Sequence, residues 1–279
     1  MPFGQRARRT LQALASDVRR PPFVRPGHFY SPQTSAADVR RAMLGRRDPV
    51  GIDLRSEEQL ALAAELDWSA PTPNRWHADQ DMYGAGDATV LRAMLLHFRP
   101  RRYVEVGSGL STALALDVAE ETGSSLQITC VEPYPARLFD HLHDGDRQRV
   151  KVLEQPVQDV PPSRLVSDLE PNDVFFIDST HVVKSGSDVA WLYLHTLPLV
   201  PPGVLVHVHD VFWPFEYPDE WLHEGRDWNE IYLLHAFLLH NDAWRIRLFC
   251  SWLWQEHPER VPGGLRGERP GSIWLQRSS

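Results

Sequence analysis

The sequence has few cysteines, no long apolar run and no excess of positive charge. Its 279 residues include two cysteines, Cys130 and Cys250, and because these stand far apart in apolar stretches they predict buried thiols rather than a disulfide or zinc site. The formal net charge of −8 disfavours a nucleic-acid partner, since phosphate binding needs a basic surface. No apolar run reaches the roughly 18 residues of a membrane-spanning helix, and no signal-peptide core follows the start. The expected location is cytoplasmic, without a membrane partner.

The most informative stretch runs from residue 103 to residue 111 and reads YVEVGSGLS. Its first four residues predict a short buried strand and Gly107–Gly109 the tight turn after it, with Ser111 capping the helix that follows. Glycines lack a Cβ, so backbone N–H groups at a helix N-terminus can approach a polar ligand there. The next predicted strand ends at Glu132, whose carboxylate can accept both hydroxyls of a ribose. Together these features predict a site for a nucleoside-bearing cofactor.

Strands and helices alternate along most of the chain. Short apolar runs predict strands near residues 102–106, 126–132, 150–154, 173–178 and 203–209. Apolar residues at helical spacing predict helices near residues 56–67, 87–98, 111–122, 135–143 and 187–197, and another opened by Asn229. This alternation predicts an α/β fold, a doubly wound sheet with parallel strands and right-handed crossovers. Two further apolar runs, Trp244–Trp254 and Ser272–Gln276, have no predicted helix between them and predict an antiparallel C-terminal hairpin at the sheet edge.

The first 82 residues predict an N-terminal extension, helical and loop-rich, ahead of a main domain at residues 83–279. Residues 1–20 carry five arginines, which favours a short solvated helix or arm over a transit peptide. Residues 21–55 lack any periodicity and predict a long loop, a candidate lid or homo-oligomer interface. Ser56 is predicted to open a capping box, and Asp87 to cap the next helix.

Five βα units followed by a helix and a hairpin resemble the class I S-adenosylmethionine-dependent methyltransferases. The glycine turn and Glu132 resemble the first two motifs of that class, and residues of about 83–254 resemble its small-molecule O-methyltransferase branch, including bacterial domains of glycan or secondary-metabolite pathways. The resemblance implies a Rossmann-like fold with a seven-stranded, mostly parallel sheet, and S-adenosylmethionine as the cofactor. A nicotinamide fingerprint would need glycine where Thr112 stands, which disfavours a dehydrogenase.

The resemblance also assigns residues to parts of the cofactor. Glu132 would hold the ribose, and Val157 or Gln158, after the third strand, would flank the adenine. The class often has a third glycine where this chain has Ser111, whose hydroxyl is expected to cap the helix instead. The methionine end would be bound along the glycine turn, at Glu105, Gly107, Ser108, Gly109 and Ser111.

Two predicted strands end in residues suited to catalysis. Asp178 ends the fourth strand and Asp210 follows the fifth, and because ligands in open α/β sheets lie at the carboxyl ends of strands, the two aspartates can chelate Mg²⁺ or another divalent cation. Catechol-type O-methyltransferases have aspartates at both positions and a lysine base where this chain has His181. An imidazole can accept a hydroxyl proton near neutral pH. Their second aspartate precedes another oxygen ligand, whereas Val211 stands here, so a metal-free His181 base stays an alternative.

The segment after the fifth strand is rich in aromatic residues and predicts a wall of the acceptor site. Phe212 would provide the apolar surface, with Glu216 and Tyr217 as polar contacts, although ordinary loop packing explains these residues equally well. His209, at the strand end, is predicted to contact the acceptor, whereas His207 is predicted to be a core residue. Tyr30 is expected to close the site from the other side.

The leading interpretation is O-methylation of a small-molecule or sugar hydroxyl. The Asn/Asp-Pro-Pro motif of nucleic-acid amino-methyltransferases is missing after the fourth strand, where the sequence reads DSTH. One alternative is a non-catalytic cofactor-binding or interaction protein of the same fold. Another is a metal-dependent hydrolase built on His207, His209 and Asp210, which lacks further ligands and leaves the glycine turn unexplained.

Overall fold

The computed structural model describes residues 23–80, 82–262 and 268–278. These residues form two compact units, one of residues 23–47 with 217–227 and a larger one of residues 48–216 with 228–278. The predicted boundary after residue 82 does not coincide with this division and stays a prediction. The arm predicted for residues 1–20 lies outside the described residues.

The larger unit is built on a seven-stranded sheet. Its strands are β1 (Arg102–Val106), β2 (Gln127–Val131), β3 (Val150–Leu153), β4 (Val174–Ile177), β5 (Leu205–His209), β6 (Trp244–Phe249) and β7 (Ser272–Arg277). They lie in the order β3-β2-β1-β4-β5-β7-β6. The first five are parallel, and β7 pairs antiparallel with both β5 and β6. The predicted doubly wound, mostly parallel sheet with an antiparallel C-terminal pair is therefore confirmed.

The helices are α1 (Ala36–Leu44), α2 (Ser56–Glu65), α3 (Ala85–Phe98), α4 (Leu110–Thr122), α5 (Ala136–His141), α6 (Pro162–Val166), α7 (Asp188–Trp191), α8 (Asp219–Glu224), α9 (Glu230–Leu238) and α10 (Cys250–Glu256). A π-turn, Leu192–Thr196, continues α7. None of the helices in the described ranges is both long and apolar enough to cross a membrane.

The core of the larger unit lies on both faces of the central strands. Every residue of β4 and β5 is buried, which is why these segments are almost continuously apolar instead of alternating. The large side chains of Tyr103, Phe176 and Trp274 are among the most completely buried. The carboxyl ends of β1, β2, β4 and β5 are thereby held on a rigid support.

Three predicted helix caps are wrong, and in two of them another partner binds the side chain. Ser56 is the first residue of α2 and does not cap it. The α3 helix begins at Ala85, and the Asp87 carboxylate accepts a hydrogen bond from the Gly271 N–H at 2.9 Å. Ser111 lies inside α4, whose N-cap has no side-chain hydrogen bond, and its hydroxyl donates to a buried glutamate instead.

Four helices were not predicted, namely α1, α6, α8 and α10. The run expected to contain no helix includes α10, in which Cys250–Trp254 are all buried. A helix buried on every side has no polar face, so its periodicity does not show in the sequence. The α1 helix lies in the segment predicted as a loop, although Ser35 and Asp38 form a complete capping box at its start.

In the smaller unit, polar contacts link the chain segment that contains α1 with the segment that contains α8. Arg46 forms an ion pair with Asp219 and donates to the Tyr217 carbonyl at 2.8 Å. The Thr34 backbone N–H donates to the Asp227 carboxylate at 3.0 Å. Charged side chains therefore connect the two chain segments of this unit.

Candidate active site

A cleft of about 440 Å³ opens at the carboxyl ends of the central strands. Four of the predicted cofactor residues, Gly107, Glu132, Val157 and Gln158, line it together with Asp178. These residues follow β1, β2, β3 and β4, so the strand order brings together groups from distant parts of the sequence. The cleft lies where an open α/β sheet binds its ligand.

The glycine turn packs directly on the end of β4. Gly107 has φ of +85°, and a Cβ added there would lie 1.9 Å from the Asp178 carbonyl oxygen. The Asp178 N–H donates to the Val106 carbonyl at 2.9 Å, which fixes this approach. Any other residue at position 107 would be strained and would also separate β1 from β4.

Two buried hydroxyls beside the cleft have no hydrogen-bond partner within the described part of the chain. They belong to Ser108, in the glycine turn, and Ser179, which lines the cleft. Buried hydroxyls are normally hydrogen-bonded, so the Ser179 hydroxyl, which lines the cleft, fits a polar group of a ligand bound there. Together with a turn that leaves no room for a Cβ, this hydroxyl makes the residues present fit S-adenosylmethionine.

Glu105 is fully buried and belongs to the support of the turn. The hydroxyls of Ser111 and Thr112 donate to its carboxylate, and burial, only partly opposed by these bonds, raises the pKa of Glu105 to about 8. Thr112, where a nicotinamide fingerprint would need glycine, ties β1 to α4 through its hydrogen bond to Glu105. Glu105, Ser108, Gly109 and Ser111 do not line the cleft, and their contacts with a cofactor stay predictions.

Glu132 has the position expected of a ribose-binding carboxylate. Its Oε1 accepts a hydrogen bond from the Tyr134 N–H at 2.8 Å, while the side chain borders the cleft. The opposite wall is fixed by Gln158, whose Nε2 donates to the Gly186 carbonyl at 3.1 Å. Val157 is 3% exposed and offers little surface to an adenine ring.

Asp178, His181 and Asp210 meet at the ends of β4 and β5. His181 Nε2 lies 3.5 Å from Asp178 Oδ1 and 3.3 Å from Asp210 Oδ2. His181 and Asp210 both have positive φ, 59° and 56°, a conformation that non-glycine residues adopt at a cost. All three predicted catalytic residues therefore come together.

The other nitrogen of His181 contacts a residue that sequence reasoning missed. Its Nδ1 lies 2.8 Å from Glu230 Oε2, in the first turn of α9. Glu230 shares a helical face with Leu234 and Leu238, which are also buried. An acidic residue in an otherwise apolar stripe is the sequence signal that could have identified it.

His209 occupies the space behind these aspartates. Its Nδ1 lies 3.4 Å from Asp178 Oδ1, and its Nε2 lies 3.4 Å from Asp87 Oδ2. The side chain is only 7% exposed, so its predicted contact with the acceptor stays a prediction. Asp87, expected only to cap a helix, is the second partner that sequence reasoning missed.

The charges of this cluster shift one another's pKa values. Burial would lower the pKa of His181, but Asp178, Glu230 and Asp210 outweigh it and raise the pKa to about 10. Burial is likewise outweighed at Asp178, where the imidazoles of His209 and His181 hold the pKa of the carboxyl below its ordinary value. At Asp210 burial prevails and raises the pKa. In the cation-free site His181 is therefore protonated near neutral pH.

The cluster also fits a divalent cation. One ligand atom from each of Asp178, His181 and Asp210 can be chosen so that all three lie within 4.8 Å of one another. Two carboxylates and an imidazole are a donor set that divalent cations accept. The sequence predicted the two aspartates as ligands, and the structure adds the imidazole as a possible third.

The predicted acceptor residues lie in different surroundings. Phe212 is buried against Gly271, where an added Cβ would lie 2.5 Å from its ring. Glu216 accepts a hydrogen bond from the Tyr232 hydroxyl at 2.6 Å. Tyr217 and Tyr30 belong to the smaller unit. Their roles as acceptor contacts, like those of Phe212 and Glu216, stay predictions.

His207 is a core residue, as predicted. Its ring stacks between Phe176 and Trp274, with centroid distances of 4.1 and 4.0 Å, and it is fully buried. The geometry disfavours the hydrolase alternative, which needed His207 as a ligand beside His209 and Asp210.

Comparison with known proteins gives two matches in sequence. A family model described as a methyltransferase domain matches residues 104–211, which span the glycine turn and the ends of β4 and β5. An uncharacterized protein of Archaeoglobus fulgidus is 34% identical over 155 residues, which cover 48% of this chain and 69% of that protein.

Solved methyltransferase structures are similar at low identity. The structure "cmcI-D160 Mg-SAM" has 17% identity and a TM-score of 0.45, over 74% of this chain and 77% of that one. The SAH-bound methyltransferase PaMTH1 of Podospora anserina has 13% identity and a TM-score of 0.48, over 90% of this chain and 100% of that one.

Proposed function

We propose that this chain, of which residues 104–211 match a methyltransferase domain, is a class I S-adenosylmethionine-dependent methyltransferase and that it methylates a hydroxyl oxygen of a small molecule or sugar. The proposed donor site is the cleft lined by Gly107, Glu132 and Gln158. The proposed base is His181, beside Asp178 and Asp210. The net charge of −8 supports a small acceptor or a glycan over a nucleic acid.

One observation carries the proposal: Asp178 belongs to both parts of the site. Its side chain lines the cleft and also lies 3.5 Å from His181 Nε2. A base must lie within hydrogen-bond reach of the hydroxyl that attacks the methyl group. Because Asp178 touches both regions, an acceptor bound near His181 would meet the sulfonium methyl at the edge of the cleft.

Methyl transfer is an in-line displacement. Bound S-adenosylmethionine would supply the methyl group, with its carbon–sulfur bond breaking as the bond to the acceptor oxygen forms and S-adenosylhomocysteine as the leaving group, and His181 Nε2 would accept the hydroxyl proton. The protein has to align the two reactants and exclude water. The 6% exposed His181 side chain supports a base that is shielded from bulk solvent.

His181 must be neutral before it can accept that proton. Its raised pKa, about 10, means that the three carboxylates around it retain the proton at neutral pH. A divalent cation held by Asp178 and Asp210 would offset their negative charge, which favours the neutral imidazole, and would lower the pKa of a bound hydroxyl. In a metal-free reaction, the rate should instead rise toward alkaline pH.

The test is methyl incorporation from labelled S-adenosylmethionine into a panel of polyphenols and nucleotide sugars, with product analysis to locate the methyl group. Transfer to oxygen is expected, and parallel reactions with EDTA, Mg²⁺ and Mn²⁺ separate the metal-assisted mechanism from the metal-free one. Transfer to nitrogen or carbon would contradict O-methylation. Cofactor binding without transfer to any acceptor would favour the non-catalytic alternative.

A further inference from the structure

Glu230 is a buried carboxylate in the first turn of α9. It is 1% exposed, and a buried charge is costly unless it is paired. Among the described residues Glu230 Oε2 forms an ion pair with His181 Nδ1 at 2.8 Å, whereas Glu230 Oε1 has no hydrogen-bond partner. Glu230 is therefore directed at one atom, His181 Nδ1.

The backbone around Glu230 holds His181 at the same point. The N–H groups of Asn229 and Glu230 both donate to the His181 carbonyl, at 3.0 and 3.1 Å. The Val183 N–H donates to Asn229 Oδ1 at 2.5 Å, and the Trp228 ring lies against the imidazole with a centroid distance of 4.5 Å. These contacts of residues 228–230, together with the Glu230 carboxylate on Nδ1, hold both the left-handed backbone and the ring plane of His181.

The position of the carboxylates decides which nitrogen of the neutral ring carries the proton. Asp178 and Asp210, at 3.5 and 3.3 Å, lie next to Nε2, and alone they would favour a proton on Nε2. Glu230 lies closer, at 2.8 Å from Nδ1, and favours the proton on Nδ1. A carboxylate behind a histidine fixes its tautomer and orientation in this way in catalytic sites generally.

We infer that Glu230 is a positioning residue for the proposed methyl transfer: it retains the proton on His181 Nδ1 and so leaves Nε2 as the atom that accepts the hydroxyl proton. The inference rests on the proposed function. Glu230 does not touch the cofactor cleft, so it acts through His181.

The experiment compares Glu230→Leu, which removes the acceptor, with Glu230→Gln, whose amide oxygen can still accept from Nδ1–H. Glu170→Gln is the control, because Glu170 lies at the amino ends of β1 and β4, away from the cluster, where it pairs with Arg101. We expect kcat to fall about 10- to 100-fold in the leucine variant and less in the glutamine variant. KM for S-adenosylmethionine and the melting temperature should change little in both.

A pH profile separates positioning from a structural role. Removing the charge beside Nδ1 should move the rising limb of kcat to lower pH by about one unit in both Glu230 variants, with no shift in the control. Loss of kcat with an unchanged pH profile and a parallel loss of cofactor affinity would mean a structural role. A leucine variant within about threefold of wild-type kcat would overturn the inference.

A spectroscopic measurement separates this inference from the proposed function. In ¹⁵N-labelled protein, the His181 Nδ1–H held by Glu230 should give a downfield, slowly exchanging proton resonance that disappears in Glu230→Leu and in His181→Ala. If this resonance is present but the protein has no methyltransferase activity, the contact between Glu230 and His181 is supported and the proposed reaction is rejected. Its absence from the wild-type protein would reject the positioning role, whether or not methyl transfer occurs.

Discussion

The proposed donor half and the proposed acceptor half of the site are built from different interactions. In the donor half, a glycine turn approaches β4 through backbone contacts, and hydroxyl groups surround the buried Glu105. In the acceptor half, two imidazoles lie among four carboxylates, those of Asp87, Asp178, Asp210 and Glu230. The donor half depends on shape, whereas the acceptor half depends on charge. Mutations in the two halves should therefore have different consequences.

The two buried glutamates show the same contrast. Glu105 is surrounded by neutral donors, so burial raises its pKa to about 8 and it is largely protonated at neutral pH. Glu230 has an imidazole as its partner, whose own pKa is raised to about 10. A buried carboxylate thus ties two elements together in the proposed donor half, whereas in the proposed acceptor half it pairs with the imidazole of the proposed base.

The largest expected effect is that of His181→Ala on the reaction itself. We expect kcat to fall about 10²- to 10⁴-fold, the usual contribution of a general base. Binding of S-adenosylhomocysteine should persist, because His181 does not line the donor cleft. Rate assays and calorimetry on the same preparation measure both. The exposed His195→Ala is the control, and equal activity of the two variants would exclude His181 as the base.

Gly107→Ala should mainly affect folding. Its Cβ would lie 1.9 Å from the Asp178 carbonyl oxygen at a φ of +85°, so we expect a loss of about 3 kcal/mol in the free energy of unfolding. Urea denaturation gives the value. Gly123→Ala is the matched control, because its φ is also positive, +63°, but nothing lies within 4 Å of the added Cβ. If both variants lose the same free energy of unfolding, the close approach of Gly107 to β4 does not contribute to stability.

Glu105→Gln tests the protonation of the donor half. The pKa of Glu105 is raised from 4.5 to about 8 in the folded protein, so between these values unfolding releases a proton and stability falls as pH rises. The free energy of unfolding should fall by up to about 1.4 kcal/mol per pH unit, or by about 2 kcal/mol between pH 6 and 7.5. This pH dependence should be missing from the glutamine variant. Denaturation midpoints at several pH values measure the difference between the proteins. A pH-independent difference would mean that Glu105 is ionised in the folded state.

Glu132→Gln should give the smallest effect. The side chain borders the cleft, and replacing a charged acceptor by a neutral one should weaken S-adenosylhomocysteine binding by about tenfold. At saturating cofactor, kcat should stay near the wild-type value, because the change is confined to the donor half. A lower kcat with unchanged affinity would place Glu132 in the acceptor half instead.

The sequence predicted the parts of the fold that follow local patterns. Apolar runs and helical spacing located β1 to β5 and the C-terminal antiparallel pair. These patterns did not predict α10, which is buried on all sides. They also gave the wrong caps at Ser56, Asp87 and Ser111. For Asp87 and Ser111 the reason is that no local pattern shows that Gly271 or Glu105 will bind such a side chain.

The site was predictable to a similar extent. Asp178, His181 and Asp210 stand at strand ends, so the parallel sheet alone implies that they meet. Glu230 and Asp87 reach the same place from α9 and α3, and their approach depends on helix packing that no spacing in the sequence encodes. At Thr112 the sequence shows only that the third glycine of a nicotinamide fingerprint is missing, whereas the structure shows that the Thr112 hydroxyl donates to Glu105.

Calorimetric titration with S-adenosylhomocysteine tests the central claim most directly, namely that the cleft beside the glycine turn is a methyl-donor site. We expect one site per chain with micromolar affinity for S-adenosylhomocysteine. This affinity should be about tenfold weaker in Glu132→Gln and unchanged in His181→Ala. Failure to detect binding at about 1 mM ligand, where even a site worth only about 4 kcal/mol would be half occupied, would contradict it.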